Sequence, residues 1–311
     1  MKPTSKSYFI FLIIFLGALS AFGPFVIDMY LPALPEMTEV FACDASVVQL
    51  GLTFSMIGLA AGQLLFGPAS DKYGRKPVLV FSLMIFVAAS LLCCFATSIT
   101  VFTCARLFQG IGGAGGIVLS RSIAADLYSG KDLAKLIAIL SAINNLAPVA
   151  APVTGGCVAH TWGWQGIFAI LLVLGVILLA FCWALHESLG REKRFTGSLA
   201  SSVKGYKTVL GVKGFPAYSL MYAMAMAALF AYISATPFIV QKVFGFSELQ
   251  FSLVFATNAI ALAVGSALSL RFRTMSKAAV CGTVIGCVFA AAGIASAACG
   301  VSSFIAYEVP T

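Results

Sequence analysis

The sequence predicts an all-α polytopic membrane protein with about nine complete transmembrane helices. Of its 311 residues, 60% are hydrophobic and 10% are charged, and the mean hydropathy is +1.01. Soluble domains carry about 25% charged residues, so a chain of this composition can bury its apolar surface only in lipid. Its apolar segments are long and continuous, without the alternation over roughly ten residues that marks transmembrane strands.

A hydropathy window of about 19 residues locates the predicted spans. They cover residues 8–30, 47–67, 78–96, 100–123, 135–159, 165–186, 215–238, 248–270 and 277–299. A tenth apolar segment begins near Ser303 and is cut off at Thr311. We therefore expect the chain to be a C-terminally truncated fragment of a longer protein.

Lysine and arginine predict which ends of the spans face the cytoplasm. With the N-terminus inside, 17 of the 19 basic residues lie in cytoplasmic segments, the exceptions being Arg106 inside a span and Lys242 in an outer loop. The net charge of +8 is then explained by topology and anionic lipid, so no nucleic-acid partner is expected. Lys2 and Lys6 also resemble the start of a cleaved signal peptide, but the apolar run that follows is too long, which favours an uncleaved first helix.

The longest polar connection divides the chain into two groups of spans. Residues 1–186 predict a complete six-helix bundle, residues 187–214 a basic cytoplasmic linker, and residues 215–311 an incomplete second bundle. At an offset of 203 residues, Leu59-Ala-Ala-Gly62 in span 2 corresponds to Leu262-Ala-Val-Gly265 in span 8. Parallel six-helix repeats would place these two spans in equivalent positions.

The first span contains an acidic residue, Asp28, near its expected outer end. It precedes Pro32 and Pro35, which are expected to break the helix, so it lies among apolar neighbours and not in the loop. A charge inside a bilayer costs on the order of 3 kcal/mol on insertion scales and therefore marks a pathway, a partner or both. A carboxylate shielded from water could load and release a proton. An acid that simply ends a helix at the interface is the alternative.

Between spans 2 and 3 lies a short charged segment that we expect to form a cytoplasmic latch favouring one conformation. Two glycines supply tight turns, an aspartate and an arginine supply opposite charges, and residues at the inner end of span 4 are the expected partners. The residues of this expected latch are Gly67, Asp71, Gly74, Arg75, Lys76, Arg121 and Asp126.

Span 4 contains a second intramembrane charge, Arg106, expected roughly 9 Å below the outer boundary at 1.5 Å per residue. Asp28 approaches this level from the same face, so we expect the two to communicate, and Gln109, one turn on, could bridge them. A purely structural pair is the alternative for Arg106. The glycines of Gly110-Ile-Gly112-Gly113-Ala-Gly115-Gly116 predict close helix contacts and room for a ligand beside Arg106.

Span 5 carries prolines and glycines that predict a hinge or seal between two bundles. Prolines four residues apart remove backbone donors and bend a helix. The paired glycines leave one helix face without side chains. A passive kink is the alternative. The hinge residues are Pro148, Pro152, Gly155 and Gly156. Beyond them, Trp162 and Trp164 are expected to anchor at the membrane interface.

Together these segments resemble the major facilitator superfamily. Its motif A is similar to Gly67…Asp71-Lys-Tyr-Gly74-Arg75-Lys76, and its motif B to Arg106-Leu-Phe-Gln109-Gly110. Its antiporter motif C is similar to Ala151-Pro152-Val-Thr-Gly155-Gly156, with Ala151 where glycine is usual. Asp28-Met-Tyr-Leu-Pro-Ala-Leu-Pro35 and the segment from Ser234 to Ser247 resemble the Bcr/CflA (bicyclomycin-resistance) drug:proton antiporters. The resemblance covers essentially the whole chain, although family members have twelve helices.

The resemblance implies efflux of small, largely apolar drugs across the bacterial inner membrane in exchange for protons, by alternating access between two bundles. It makes Asp28 the proton carrier, with Arg106 setting its affinity. The candidate substrate ligands are polar groups expected to face the cavity: Tyr30, Gln109 and Asn258. We expect a monomer with the substrate, protons and the bilayer as its partners. No cofactor or metal is expected, since the nine cysteines lack metal-site spacing.

Three alternatives stay open. A major facilitator transporter of a small metabolite (a sugar, organic acid or amino acid) would share motif A, but motif C and Asp28 argue against it. The truncated chain could also be inactive. An intramembrane enzyme is disfavoured, because the chain has only His160 and His186, with neither an HExxH motif nor a nucleophile elbow.

Overall fold

A computed structural model of the chain describes residues 6–197 and 208–269. All regular secondary structure in these two ranges is helical. Six helical stretches within them are long and apolar enough to cross a membrane. The predicted span 277–299, the segment from Ser303 and part of the linker lie outside the described residues. The count of about nine spans and the division into two bundles therefore stay predictions.

The first crossing is assembled from consecutive short helices. Helix α1 spans Lys6–Ser20, α2 spans Phe22–Asp28, a 3₁₀ turn spans Leu31–Ala33, and α3 spans Leu34–Val40. The expected break after Asp28 is confirmed, because prolines occupy the first turns of both following elements. Asp28 is therefore the last residue of α2, although Met29 and Tyr30 keep right-handed helical backbone angles.

The next three helices are long and closely packed. Helix α4 spans Ala45–Tyr73, α5 spans Arg75–Cys94, and α6 spans Ile99–Leu127. The expectation of a tight turn at Gly67 is wrong, because α4 continues through this residue to Tyr73. Gly74 alone makes the turn, with φ 103° and ψ 155°. The charged segment is thus mostly helical, and the polar contacts described below hold its charges in place.

The two following predicted spans form one nearly continuous element, α7, at Gly130–Phe181. Its backbone leaves helical geometry at Gly163, where φ is 67° and ψ is −174°. Fifty-two helical residues would extend about 78 Å, against a bilayer core of about 30 Å, so the break at Gly163 separates two segments of crossing length. The backbone stays helical through Pro148 and Pro152.

Two further helices belong to the predicted second bundle. Helix α8 spans Phe215–Phe238 and continues into a π-helical turn at Ile239–Val243. Helix α9 spans Glu248–Ser269. Helix α9 packs against α7, whereas the N-terminal half of α8 is largely exposed.

Glycines on α6 allow the close packing that the sequence predicts. A Cβ on Gly110 would collide with the backbone at Ser55 on α4, and one on Gly112 would collide with the backbone at Phe86 on α5. Elsewhere the core is aromatic: Trp164 is buried, with its ring centroid 5.9 Å from that of Phe102. The expectation that Trp164 anchors at the interface is therefore wrong, whereas Trp162 is exposed.

Candidate functional site

A cavity of about 580 Å³ lies between the first crossing, α4, α6 and α7 on one side and α8 and α9 on the other. Its wall combines apolar side chains with polar groups. The apolar part includes Ile27, Leu59, Ile117, Met226, Phe230 and Phe255. The polar part consists of Asp28, Gln63, Asn144, Asn145, Tyr222, Tyr232 and Asn258. A mostly apolar cavity with a few convergent polar groups is the usual form of a small-molecule site.

Among the described residues of this wall, Asp28 is the one with a charged side chain. Its residue is 6% exposed, and within the described ranges its carboxylate forms neither a hydrogen bond nor an ion pair. A carboxylate in such surroundings is costly to keep charged without a partner. The site can therefore accept a proton or a hydrogen-bond donor of a ligand.

Arg106 is fully buried and lies outside the cavity wall. Its guanidinium donates to Gln109 Oε1 at 2.5 Å and to the Val26 carbonyl oxygen at 2.8 Å. The guanidinium carbon lies 4.3 Å from the ring centroid of Tyr30 and 5.6 Å from that of Phe168. The expected bridge to Asp28 is not formed in the described part of the chain, and the space beside Arg106 is filled by aromatic rings.

The three candidate substrate ligands divide between the core and the cavity. Tyr30 and Gln109 are fully buried beside Arg106, and Gln109 donates to Ser90 Oγ at 2.8 Å. Asn258 lines the cavity and donates to the Tyr232 hydroxyl. In this conformation only Asn258 of the three faces the space that a ligand would occupy.

The latch is centred on Arg75. Its guanidinium donates to Asp71 Oδ1 at 2.5 Å and to Ser70 Oγ at 2.6 Å, both on α4. It also donates to Asp126 Oδ2 on α6 at 2.8 Å. One arginine at the start of α5 thus joins the ends of three helices through charge-assisted hydrogen bonds, which are the stronger kind.

Two residues expected in the latch do not take part in it. Arg121 is exposed, and no contact joins it to Asp71 in the described structure. On a long helix its position, five residues before Asp126, places its side chain on a different face. Gly67 is an ordinary helical residue whose added Cβ would meet only Val118, at 3.9 Å.

Glu187 completes the latch and was not predicted. Its carboxylate accepts hydrogen bonds from the backbone N–H of Arg75 at 2.9 Å and of Lys76 at 3.2 Å, and so caps the N-terminus of α5. It also pairs with Arg194 at 3.6 Å. The positive φ of Gly74 favours glycine there, and a Cβ would also displace the side-chain ends of Glu187 and Arg194. The one signal in the sequence is an acid at the start of a basic segment.

The glycines of the predicted hinge lie where α7 approaches its neighbours most closely. A Cβ on Gly155 would collide with the Met29 carbonyl oxygen, just after the end of α2 in the first crossing. A Cβ on Gly156 would collide with Ser252 Oγ and lie 2.9 Å from the Glu248 carbonyl oxygen, both on α9. The pair therefore seals α7 against elements of both predicted bundles.

Polar contacts join the same two sets of helices at the end of the molecule opposite the latch. Gln241 donates to the Pro32 carbonyl oxygen at 2.9 Å, and Gln49 donates to the Ser234 carbonyl oxygen at 2.9 Å. Lys242 and Glu39 form an ion pair. These contacts tie the first crossing and α4 to α8 and its π-helical turn.

A profile of the Major Facilitator Superfamily matches residues 10–309 of the chain. The chain belongs to this superfamily. Its members are transport proteins, so the protein is a multi-pass membrane transporter and not an enzyme. The motif A resemblance falls on the latch, and the motif C resemblance falls on the seal between α7 and α9.

Curated relatives of this superfamily include drug-resistance proteins. The chain is 38% identical to the MFS-type transporter YdgK of Bacillus subtilis (strain 168), over 87% of this chain and 68% of the relative. It is 31% identical to a bicyclomycin resistance protein homolog of Haemophilus influenzae, over 86% and 68%. It is 36% identical to a chloramphenicol resistance protein of Pseudomonas aeruginosa, over 76% and 55%. The matched region spans between about half and about two thirds of these major facilitator relatives.

Solved structures of the superfamily have the same fold. A bacterial homolog of the human lysosomal transporter Spinster superposes with a TM-score of 0.73 at 18% identity, covering 98% of this chain and 71% of that one. A D-xylose–proton symporter superposes with a TM-score of 0.68 at 17% identity, covering 98% and 79%. At these identities the comparison establishes the major facilitator fold alone.

Proposed function

We propose that the protein exports small, largely apolar drug-like molecules from the bacterial cytoplasm in exchange for protons. The observation that carries the proposal is the Asp28 carboxylate, which lies in the wall of a cavity between the two sets of helices and has no ionic partner among the described residues. The drug-resistance names of relatives at 31% and 36% identity support the drug-like substrate class.

Asp28 would act as the proton carrier of this cycle. In the low-dielectric wall, its negative charge is stabilised either by a proton or by a polar group of the substrate. Binding of one therefore weakens binding of the other by the same factor, because coupling between two ligands is reciprocal. Such competition exchanges substrate for protons when the cavity opens to alternate sides of the membrane.

Arg106 would act as a positioning residue. Its hydrogen bond to the Val26 carbonyl oxygen holds the last turn of α2, two residues before Asp28. Tyr30 and Gln109 support the guanidinium, so we assign them to the same positioning group and not to the substrate. Arg106 then sets the affinity of Asp28 through the backbone.

The cavity wall fits a substrate with an apolar body and a few polar groups. Phe230, Phe255 and Met226 supply soft apolar contacts that adapt to different shapes. Asn145 and Asn258 supply side-chain amides that can both donate and accept hydrogen bonds. We propose Asn258 as a substrate ligand on this basis.

Drug-driven proton movement in everted membrane vesicles tests the proposal. Respiration acidifies the vesicle interior, and we expect chloramphenicol, used as the probe, to release protons from vesicles that contain the chain. The Asp28→Asn variant should lose this release. Asp44→Asn is its matched control, because Asp44 is an exposed acid just outside the first crossing. No proton release with chloramphenicol, but release with a sugar, an organic acid or an amino acid, would favour the metabolite transporter instead.

A further inference from the structure

A second cavity, of about 600 Å³, adjoins the latch, with which it shares Lys76 and Glu187, and has no wall residue in common with the cavity at Asp28. Its wall contains Lys76, Pro77 and Val80 at the start of α5 and Glu187, Arg191 and Arg194 in the segment after α7. We call these six residues the basic cleft. Three cations and one acid give it an excess of two positive charges.

The single acid of the cleft is already engaged. Glu187 accepts from two backbone N–H groups and pairs with Arg194. The Lys76 ammonium donates to the carbonyl oxygens of Leu185 at 2.8 Å and Trp183 at 3.4 Å, which leaves one of its three donors for a ligand.

The two arginines have donors to spare. Arg194 forms a long ion pair with Glu187, at 3.6 Å, in the described structure; its Nε is buried, so a ligand would meet the terminal nitrogens of the guanidinium. Within the described ranges the Arg191 guanidinium forms neither a hydrogen bond nor an ion pair. An arginine fork with free N–H groups matches the oxygens of a phosphate group.

The position of the cleft indicates where such a phosphate would come from. Trp183, whose carbonyl contacts Lys76, is 87% exposed, and exposed tryptophans gather at membrane–water interfaces. Along α5 the exposed apolar residues Pro77, Phe81 and Met84 lie on one face at helical spacing, as on a face in contact with lipid. The cleft therefore lies at the headgroup end of an apolar strip.

We propose that the basic cleft binds the phosphate of an anionic phospholipid, with one acyl chain along the strip Pro77, Phe81 and Met84. The lipid would bridge Lys76 on α5 to Arg191 and Arg194 in the segment just after α7, and so hold this segment against the latch. The positive-inside pattern places this end at the cytoplasmic leaflet, whose anionic lipids attract basic segments. Soluble phosphate esters share the chemistry but lack the acyl chain.

Fluorescence quenching of Trp183 in lipid nanodiscs tests the site. The probe is phosphatidylglycerol brominated near its headgroup, diluted into phosphatidylcholine, and the Trp183→Phe variant identifies the signal of this tryptophan. We expect brominated phosphatidylglycerol to quench Trp183 at a lower lipid fraction than brominated phosphatidylcholine. In the R191Q/R194Q variant, the phosphatidylglycerol fraction that gives half-maximal quenching should rise roughly five-fold for each charge removed.

The K131Q/K135Q variant is the matched control, because it removes two exposed charges of the same predicted face outside the cleft. In this control variant, brominated phosphatidylglycerol should quench Trp183 at the same lipid fraction as in the parent. An equal loss in both variants would overturn the proposal in favour of non-specific attraction, and equal quenching by the two lipids would overturn it directly. Soluble glycerol phosphate is added at a concentration equal to the effective concentration of phosphatidylglycerol. If it displaced the brominated lipid and restored Trp183 fluorescence, the assignment to a lipid would be overturned. Quenching does not depend on transport, so its outcome is separate from that of the proposed function.

Discussion

Arg106 reaches the first crossing through the carbonyl oxygen of Val26, at 2.8 Å, and not through the carboxylate of Asp28. The two intramembrane charges are therefore linked by backbone and not by an ion pair. This arrangement leaves Asp28 available to ligands while fixing the helix turn that carries it.

Replacing Arg106 by methionine should destabilise the protein. The variant leaves Val26 and Gln109 with buried acceptors and no donor, which costs about 1–3 kcal/mol. Thermal unfolding of the detergent-purified protein measures the loss. Arg121→Gln is the control, since this exposed arginine lacks such contacts, and equal melting temperatures for the two variants would contradict the assignment.

Breaking the latch should abolish transport without preventing membrane insertion. Arg75→Gln removes the charge that joins Asp71 and Asp126, so the helix ends it connects are no longer held together. Transport in vesicles is compared with the amount of protein in the membrane. Arg121→Gln should transport normally, and loss of transport in that variant as well would show that any cytoplasmic charge matters.

Glu187→Ala should loosen the segment that follows α7. Loss of a carboxylate cap costs about 1 kcal/mol, so we expect chymotrypsin cleavage after Phe195 to become about five-fold faster. Phe195 is held to the latch by a 2.9 Å hydrogen bond from its N–H to the Asp71 carbonyl oxygen. Glu192→Ala removes an exposed acid of the same segment and should leave the rate unchanged. Faster cleavage in both variants would argue against a capping role.

A bulky side chain at Gly156 should prevent α7 from packing on α9. Leucine would fill the space now occupied by Ser252 and the Glu248 carbonyl oxygen, so the cavity could not close at the end opposite the latch. The opening is measured with Asn258→Cys in a cysteine-free background, as the accessibility of this thiol to a membrane-impermeant reagent. Ala150→Leu, at an exposed position of the same helix, is the control. Unchanged accessibility in Gly156→Leu would mean that this contact is not the seal.

The sequence predicted the helical class, the superfamily and the residues of the latch core, because these depend on composition and local spacing. Hydropathy shows the length of each apolar segment. The charged residues around Gly74 can be recognised as a loop because they lie between two such segments. The partner of Arg75 on α6 was also found, since Asp126 is the acid at the matching helix end.

The contacts made across the fold were harder to predict. Glu187 caps α5 from 111 residues further along the chain, a relationship that local pattern does not contain. Tryptophan commonly lies at the membrane interface, which is why the sequence predicts Trp164 there. The backbone break at Gly163 instead directs its side chain inward, where it packs on the ring of Phe102. The environment of Arg106 depends on how Tyr30 and Phe168 fill the space beside it, which only the packed structure specifies.

The Asp28→Asn variant tests the proton-coupling account most directly. In proteoliposomes, the account predicts that this variant still exchanges labelled chloramphenicol across the membrane at equal concentrations, because the cavity, the latch and the contact between α7 and α9 are intact. It also predicts that a pH gradient no longer drives accumulation of the drug, whereas Asp44→Asn accumulates it as the parent does. Gradient-driven accumulation by Asp28→Asn at the parent's rate would contradict the central claim.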